Sequence, residues 1–247
     1  MNVESQKNGS KEIALFDALI YCEFAGDKNA PALVLLHGNG EDLHIFDSQI
    51  RYFSQYFRTI AIDTRGHGKS TRGEDSFTFH TFANDLIDVF EALQIDKAHI
   101  IGFSDGAITA LHLALTKPEL VSSMVLLGAN YNLKGLRLIP RMQIRFVYAC
   151  LSIASLFSGK MRKRKEIWSL MVNQPNLTVE ELSRITAPTL IVTGENDMVS
   201  QRHNDEMHRT IAGSQRLIIP NGNHFWMFKQ PEVLNRCVMA FLNQSWI

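Results

Sequence analysis

Short apolar runs alternate with amphipathic stretches along most of this 247-residue chain. Six of these runs have the length and composition of buried strands, at 32–36, 59–62, 99–101, 124–127, 189–192 and 217–219. Because helical stretches separate them, the pattern predicts a mostly parallel sheet with helices on both faces. The expected fold class is therefore α/β.

Two other stretches carry apolar residues at helical spacing. Residues 81–93 place them three or four positions apart, which predicts a helix with Asp85 and Asp88 on its solvent-exposed side. Residues 231–242 show similar spacing behind Pro231, a residue favoured in a first helical turn. They predict a closing helix beside the loop that precedes it.

The alternation fails between about residues 130 and 186, where the pattern predicts helices without a convincing strand. No acidic residue occurs in this segment before Glu166, whereas nine basic residues do: Lys134, Arg137, Arg141, Arg145, Lys160, Arg162, Lys163, Arg164 and Lys165. The charge is open to three interpretations: a solvated face, attraction of an anionic substrate, or contact with an anionic membrane or acidic partner. The apolar run 146–157 within it either lines an acyl pocket or lies at a membrane surface.

Composition narrows the class of protein. With 45% hydrophobic residues and zero formal net charge, the chain suits one globular domain and gives no indication of nucleic-acid binding. The polar first residues and the lack of an apolar segment of about 20 residues predict neither a secretory signal nor a membrane span, so a cytoplasmic location is expected. Cys22, Cys150 and Cys237 are too scattered for a disulfide framework or zinc cluster and are expected to be packed thiols. Oligomeric state is not readable from the sequence.

The most specific chemical signal is Gly102-Phe103-Ser104-Asp105-Gly106, between a predicted strand and a helix-like run. A GxSxG pentad at such a junction forms a sharp elbow that exposes the serine at its tip. The helix N-terminus behind it favours developing negative charge. Ser104 is therefore the candidate nucleophile.

A serine nucleophile needs a base and an acid to orient that base. His224 follows the predicted strand 217–219 on a turn-rich loop and is the candidate base. Asp197 follows the strand 189–192 and is the candidate acid, with Glu195 and Asp205 as nearby alternatives. The order serine, aspartate, histidine is that of α/β-hydrolases.

Two further motifs precede the elbow, Leu33-Val-Leu-Leu-His37-Gly38-Asn39-Gly40 and Asp63-Thr-Arg65-Gly66-His67-Gly68-Lys-Ser70. Together with the order of the triad residues, these motifs resemble those of the α/β-hydrolase fold superfamily. The resemblance covers the chain from about Ala18 to Leu242. The resemblance implies an eight-stranded-type sheet, a core formed by 1–129 and 187–247, and a helical cap formed by 130–186. The histidines of the HG and RGHG turns are expected to be structural, and the second turn does not satisfy the GxxxxGK[ST] phosphate-loop pattern.

The expected reaction is hydrolysis of a small-molecule acyl substrate, an ester or alternatively a thioester or amide, through an acyl-enzyme. The backbone N–H of Asp105 and, by resemblance, that of Asn39 are the expected oxyanion donors. The chemistry requires no cofactor or metal. The Asp105 side chain is expected to point away from the site. The Ser-Asp-Gly elbow is similar to that of valacyclovir-hydrolase-like members, which hydrolyse amino-acid esters.

Two alternatives remain open by resemblance. One is a carbon–carbon bond hydrolase that uses the same triad on diketones, and the other is a ligand-binding receptor that lost turnover. Haloalkane dehalogenation is disfavoured because that chemistry uses a carboxylate where this chain has Ser104, whereas a cofactor-free haloperoxidase-like side reaction stays open.

Overall fold

An eight-stranded sheet organises the fold, with strand order β1-β2-β4-β3-β5-β6-β7-β8. The computed structural model describes residues 7–244. The first two strands pair antiparallel with each other, β2 pairs antiparallel with β4, and the remaining pairs are parallel. The strands are β1 (Lys7–Ala14), β2 (Leu19–Ala25), β3 (Ala32–Leu36), β4 (Arg58–Ile62), β5 (Ala98–Phe103), β6 (Val121–Leu127), β7 (Thr189–Gly194) and β8 (Gln215–Ile219).

Helices follow the parallel strands and cover the sheet. The α-helices are α1 (Asp47–Phe53), α2 (Phe79–Ala92), α3 (Asp105–Thr116), α4 (Leu138–Ala154), α5 (Gly159–Asn173), α6 (Val179–Leu182), α7 (Gln201–Thr210), α8 (Trp226–Lys229) and α9 (Pro231–Gln244). Short 3-10 turns lie at Leu43–Phe46, Pro118–Leu120 and Leu133–Gly135. The predicted helices over 81–93 and 231–242 correspond to α2 and α9.

Alternate residues of the central strands enter two separate cores. On β3, Val34 and Leu36 pack in the core that includes residues of α2 and α3. Their neighbours Leu33 and Leu35 pack in the core that includes residues of α1 and α9. Because both faces of a parallel strand are buried, its sequence is continuously apolar, and the predicted α/β class with helices on both faces is confirmed.

The apolar runs in the sequence did not predict β1 and β2, which form the antiparallel edge of the sheet. The edge strand β1 reads KNGSKEIA and is mostly polar, as befits a strand with only one neighbour. In β2, buried and less buried residues alternate over much of the strand, so it has no continuous apolar run.

The motif after β4 is a structural turn built around the Asp63 carboxylate. Its Oδ1 accepts a hydrogen bond from the Leu43 N–H at 2.8 Å, and its Oδ2 accepts one from the Lys69 N–H at 2.8 Å. The hydroxyl of Ser70 donates to the Asp63 carbonyl at 2.6 Å and accepts the Tyr21 N–H. The turn therefore uses its polar groups to tie β2, β4 and the loop after β3 together.

Arg65 of this turn forms a buried ion pair that corrects one sequence expectation. Its Nε and Nη2 donate to the two carboxylate oxygens of Asp85 at 2.8 and 2.6 Å, and its Nη1 donates to Asp17. The expectation that Asp85 lies on the wet side of its helix was wrong, since this carboxylate is buried, whereas Asp88 is exposed. An unpaired buried charge would cost about 3–5 kcal/mol, so the bidentate pair explains why an acid occupies the inner side of α2.

Between β6 and β7 the chain leaves the sheet and forms α4, α5 and α6. We call residues 130–186 the cap segment.

No helix within residues 7–244 is long and apolar enough to cross a membrane. The cysteines are free; Cys22 is buried, but Cys150 on α4 is exposed, so the expectation of a packed thiol was wrong there.

Candidate active site

Ser104 occupies a sharp turn between β5 and α3, with φ 50° and ψ −113°. The turn is so tight that the chain needs glycine at both Gly102 and Gly106. A Cβ on Gly106 would collide with the backbone carbonyl of Leu36, and one on Gly102 would lie 2.5 Å from the Gly106 carbonyl oxygen. The strained backbone at Ser104 is typical of a nucleophile elbow.

His224 lies between the serine hydroxyl and a carboxylate. Its Nε2 is 3.2 Å from Ser104 Oγ, and its Nδ1 is 2.8 Å from Asp197 Oδ1. Since an ionised carboxylate only accepts hydrogen bonds, Nδ1 carries the proton and Nε2 is free to accept one from the serine. Both His224 and Asp197 are buried, so water competes little for the hydrogen bond between them.

Parallel strand topology brings the three side chains together. Ser104 follows β5, Asp197 follows β7 and His224 follows β8, so all three stand at the carboxyl ends of parallel strands. The loops after β7 and β8 are joined where the Asn196 N–H donates to the Gly222 carbonyl at 2.7 Å. This bond fixes the acid-bearing loop against the histidine-bearing loop.

The two alternative acids have other partners. Glu195 accepts a hydrogen bond from the Asn221 N–H at 2.8 Å, and Asp205 forms an ion pair with Arg216. Neither is a hydrogen-bond partner of His224 among the residues that the structure describes. Of the three candidates, Asp197 is the one that contacts the imidazole.

The loop after β3 brings a backbone N–H toward the elbow. Within residues 7–244, the N–H groups of Asn39 and Asp105 donate to no protein acceptor, and both residues lie beside the elbow. Glu41 holds this loop, because its Oε2 accepts the Gly38 N–H at 3.0 Å. These free donors are the kind that an oxyanion site requires.

Glu41 is a site-adjacent acid that the sequence reasoning missed. It is half-buried, and burial raises its pKa to about 7, while the hydrogen bond from Gly38 acts in the opposite direction. The signal was its position three residues after Gly38, within reach of that N–H across the turn. This hydrogen bond holds the loop after β3 through its backbone.

Asp105 corrects another expectation, namely that its side chain points away from the site. Its side chain does not turn away from the loop, since Asn39 Nδ2 donates to Asp105 Oδ2 at 2.8 Å. The same amide nitrogen donates to the Ile167 carbonyl of α5 at 2.9 Å, so this contact also ties the elbow to the cap segment. Burial raises the pKa of the Asp105 carboxyl to about 6, and the hydrogen bond from Asn39 opposes that shift.

His37 and His67 bond to the backbone, which confirms the structural role expected for them. His37 Nε2 accepts the Thr64 N–H at 3.0 Å, and its Nδ1 lies 2.8 Å from the Gly38 carbonyl oxygen. His67 Nδ1 lies 3.1 Å from the Arg65 carbonyl oxygen. Burial lowers the pKa of each imidazole to about 4, so both are neutral at pH 7.

A small cavity of about 20 Å³ lies over the nucleophile, room for about one water. Ser104, Asp105 and His224 line its floor, and the cap segment supplies Leu136, Ile144, Met171, Gln174 and Pro175. A wider open groove of about 660 Å³ reaches Asp197 and His224 from the outside. The apolar run 146–157 lines neither space, so the expectation that it lines the pocket was wrong.

No group of three or more His, Cys, Asp or Glu side chains within the described ranges could hold a metal ion. The candidate site itself offers a hydroxyl, an imidazole, carboxylates and backbone N–H donors. These are the groups of nucleophilic catalysis.

Comparisons with known proteins identify the family to which the chain is similar. A family model described as alpha/beta hydrolase fold matches residues 31–155, which include β3, the loop after it and the turn at Ser104. The human protein named Serine hydrolase BPHL is 27% identical over 94% of this chain and 86% of its own length. A Bacillus subtilis protein named Uncharacterized carboxylesterase nap is 28% identical over 89% of this chain and 81% of its own.

Solved structures share the same architecture. A hydrolase from Pseudomonas aeruginosa PA01 superposes with a TM-score of 0.80 at 23% identity, covering 95% of this chain and 98% of its own. The naproxen esterase of Bacillus subtilis superposes with a TM-score of 0.78 at 24% identity, covering 97% and 92%. At these identities the likeness establishes the fold.

Proposed function

The chain belongs to the α/β-hydrolase fold family and is a hydrolase of that type, and from this premise we propose that it cleaves small carboxylic esters through an acyl-enzyme on Ser104. The observation that carries the proposal is the position of His224, 3.2 Å from the serine Oγ and 2.8 Å from the Asp197 carboxylate. The esterase names of several similar proteins favour an ester over other acyl compounds.

In the first step, Ser104 Oγ forms a bond to the ester carbonyl carbon while its proton passes to His224 Nε2. Asp197 keeps the imidazole in the required tautomer and stabilises the positive charge that the ring gains. The tetrahedral oxyanion accepts hydrogen bonds from the N–H groups of Asn39 and Asp105. Each such donor contributes about 3 kcal/mol to the transition state.

Collapse of the tetrahedral intermediate breaks the bond to the alkoxy group, which leaves as an alcohol with the proton from His224. Water then attacks the acyl carbon, giving a proton to the same imidazole, and the second collapse releases the acid and restores the Ser104 hydroxyl. Proton and electron pairs balance over the two halves without any additional reactant.

A panel of p-nitrophenyl esters of increasing acyl length tests the proposed reaction. We expect release of p-nitrophenol with a burst equivalent to one acyl group per chain whenever deacylation is slower than acylation. Turnover of a vinylogous diketone in place of every ester would instead indicate the carbon–carbon bond hydrolase. Binding without turnover of either class would indicate a receptor.

A second candidate is an ester whose acyl group carries an ammonium, because the buried Asp105 lines the cavity beside the nucleophile. An ionised carboxylate there can accept a charge-assisted hydrogen bond from an α-ammonium while Ser104 attacks the adjacent carbonyl. Glu41 adds a second acidic group close to the same region, since its carboxylate accepts the N–H of Gly38, the residue before Asn39.

Asp105→Asn tests this candidate through a ratio of two substrates. The p-nitrophenyl esters of alanine and of isobutyric acid differ by an ammonium in place of a methyl group. A charged hydrogen bond is worth about 1.5–3 kcal/mol, so the wild type should prefer the alanine ester in kcat/KM by about tenfold to a hundredfold. Asp105→Asn should remove the preference, and Asp88→Asn on the exposed side of α2 should retain it.

The pH dependence of the same ratio has a defined sign. Burial raises the pKa of the Asp105 carboxyl to about 6, so the group is ionised above that pH and gains a proton below it. The preference for the ammonium substrate should therefore fade as the pH falls through 6. An unchanged ratio in Asp105→Asn would exclude this candidate and leave the ester hydrolase intact.

A further inference from the structure

The cap segment carries a group of exposed apolar side chains that lie close together in the sequence. Its seven side chains are each between 62 and 84% exposed, and we call them the apolar stripe: Leu138, Ile139, Met142, Phe146, Ile153, Leu156 and Phe157. At about 100° per residue, the five that belong to α4 fall within one arc of roughly 100° on that helix. Exposed apolar residues this concentrated indicate an interaction surface.

The opposite side of α4 is the side that packs on the protein. Ile144, which is 8% exposed, lines the cavity over Ser104, and Val147 and Leu151 of the same side are partly buried. The helix therefore has two apolar sides, of which the inner one is used by the fold. No residue that the structure describes covers the outer one.

Basic side chains border the apolar stripe. Arg141 and Arg145 lie along one edge of it, and Tyr148 lies next to them around the helix. Tyr148 also lines an open groove of about 670 Å³ between α4 and α5, where Arg162, Lys163 and Lys165 are gathered. The acid in this groove, Glu166, is already paired with Arg72 of the core.

The charge pattern selects the occupant of the surface. Between residues 130 and 173 there are nine basic residues and one acidic residue, so a second copy placed against the same face would bring like charges together. An anionic lipid surface can bind both the apolar stripe and its basic border. The apolar side chains would enter the boundary of the acyl chains, and the cations would lie among the anionic head groups. We propose that the cap segment docks on an anionic membrane surface through the apolar stripe and its basic border.

Docking would also determine how substrate reaches the site, a point that rests on the proposed function. Leu138 and Ile139, at one end of the apolar stripe, line the open groove that reaches His224. With the stripe at the lipid surface, the mouth of that groove lies beside the bilayer. Esters with an apolar group dissolved in the membrane would then enter without crossing water.

Vesicle sedimentation with the full chain tests the docking. The chain should bind vesicles of equimolar phosphatidylcholine and phosphatidylglycerol, and should bind much less to phosphatidylcholine alone. Each cation near an anionic surface strengthens binding about fivefold at low salt, so raising the salt concentration should release the protein. Phe146→Glu should weaken binding at least about tenfold through lost apolar burial and added negative charge.

Two controls match the variants in residue type. Tyr56→Glu replaces an exposed aromatic residue and Lys28→Glu an exposed cation, in the turns that precede β4 and β3, where the strands begin and not where Ser104 lies at a strand end. Neither should change vesicle binding, whereas Arg145→Glu should lower it about fivefold or more. Circular dichroism of each variant checks the fold. Because the substituted side chains are exposed, the spectra should match that of the wild type.

Ser104→Ala separates docking from catalysis, since it should bind vesicles as the wild type does even if the chain proves to hydrolyse no ester. Three outcomes would overturn the docking proposal. They are equal binding to neutral and mixed vesicles, unchanged binding of Phe146→Glu and Arg145→Glu, and a dimer in analytical ultracentrifugation that Phe146→Glu dissociates without any vesicle binding. The last outcome would assign the apolar stripe to a second copy.

Discussion

Replacing Ser104 with alanine should lower kcat for p-nitrophenyl acetate by about a millionfold, which corresponds to about 8 kcal/mol of lost transition-state stabilisation. The reason is that the variant has no oxygen to form the acyl-enzyme, whereas His224 and the backbone donors remain. Residual hydrolysis should come from water positioned in the site and should show no burst. A stopped-flow measurement of p-nitrophenol release gives both the burst amplitude and the steady rate.

The matched control for this variant is Ser183→Ala, a serine on the exposed end of α6. It should retain the wild-type burst and kcat. Thermal unfolding should show a similar stability for both variants, because alanine meets the same positive φ as serine at position 104. A Ser104→Ala variant that keeps more than about a hundredth of the wild-type kcat would reject nucleophilic catalysis by this residue.

Asp197→Ala should lower kcat by about ten-thousandfold. The substitution removes the acceptor of the His224 Nδ1–H, at present 2.8 Å away, and with it the group that fixes the tautomer of the ring. It also removes the negative charge that stabilises the imidazolium during each proton transfer. The loss should fall on kcat more than on KM, because the carboxylate does not touch the substrate.

Asp205→Ala is the control for Asp197→Ala, since the sequence alone leaves Asp205 open as the acid. This carboxylate pairs with Arg216, so its loss should leave kcat within a small factor of wild type. A large loss in Asp205→Ala together with a small loss in Asp197→Ala would contradict the assignment of the acid. Steady-state kinetics of the two variants, prepared in parallel, decide the point.

The parallel part of the fold was predictable because its strands are buried on both faces. A strand such as Ala32–Leu36 must be apolar at every position, so it is visible as a continuous run. The elbow was equally visible, because only glycine fits at positions 102 and 106 beside the backbone that packs there. Topology then brings Asp197 and His224 to the same end of the sheet as Ser104.

Polar residues inside the fold were less predictable, since periodicity gives the side of an element but not the partner of a side chain. Asp85 is buried because Arg65, 20 residues earlier, supplies a bidentate partner. Asp105 stays on the site because the Asn39 amide, 66 residues earlier, holds its carboxylate. Neither pairing leaves a signal in the local sequence.

The cap segment shows a different limit of sequence reasoning. The run 146–157 is apolar on every side, so its sequence gives no sign of which side faces the protein. In the structure Ile144, just before the run, reaches the cavity, whereas Phe146 and Ile153 point outward. An apolar helix on a surface is explained only when the surroundings of both its sides are known.

Reaction with a fluorophosphonate followed by peptide mass spectrometry tests whether an activated serine exists at this site. We expect one adduct per chain, located on the peptide that contains Ser104, and almost none in His224→Ala, because the hydroxyl is unreactive without its base. Full labelling of a different serine, or no adduct on a folded chain that still hydrolyses esters, would contradict the Ser104–His224–Asp197 assignment.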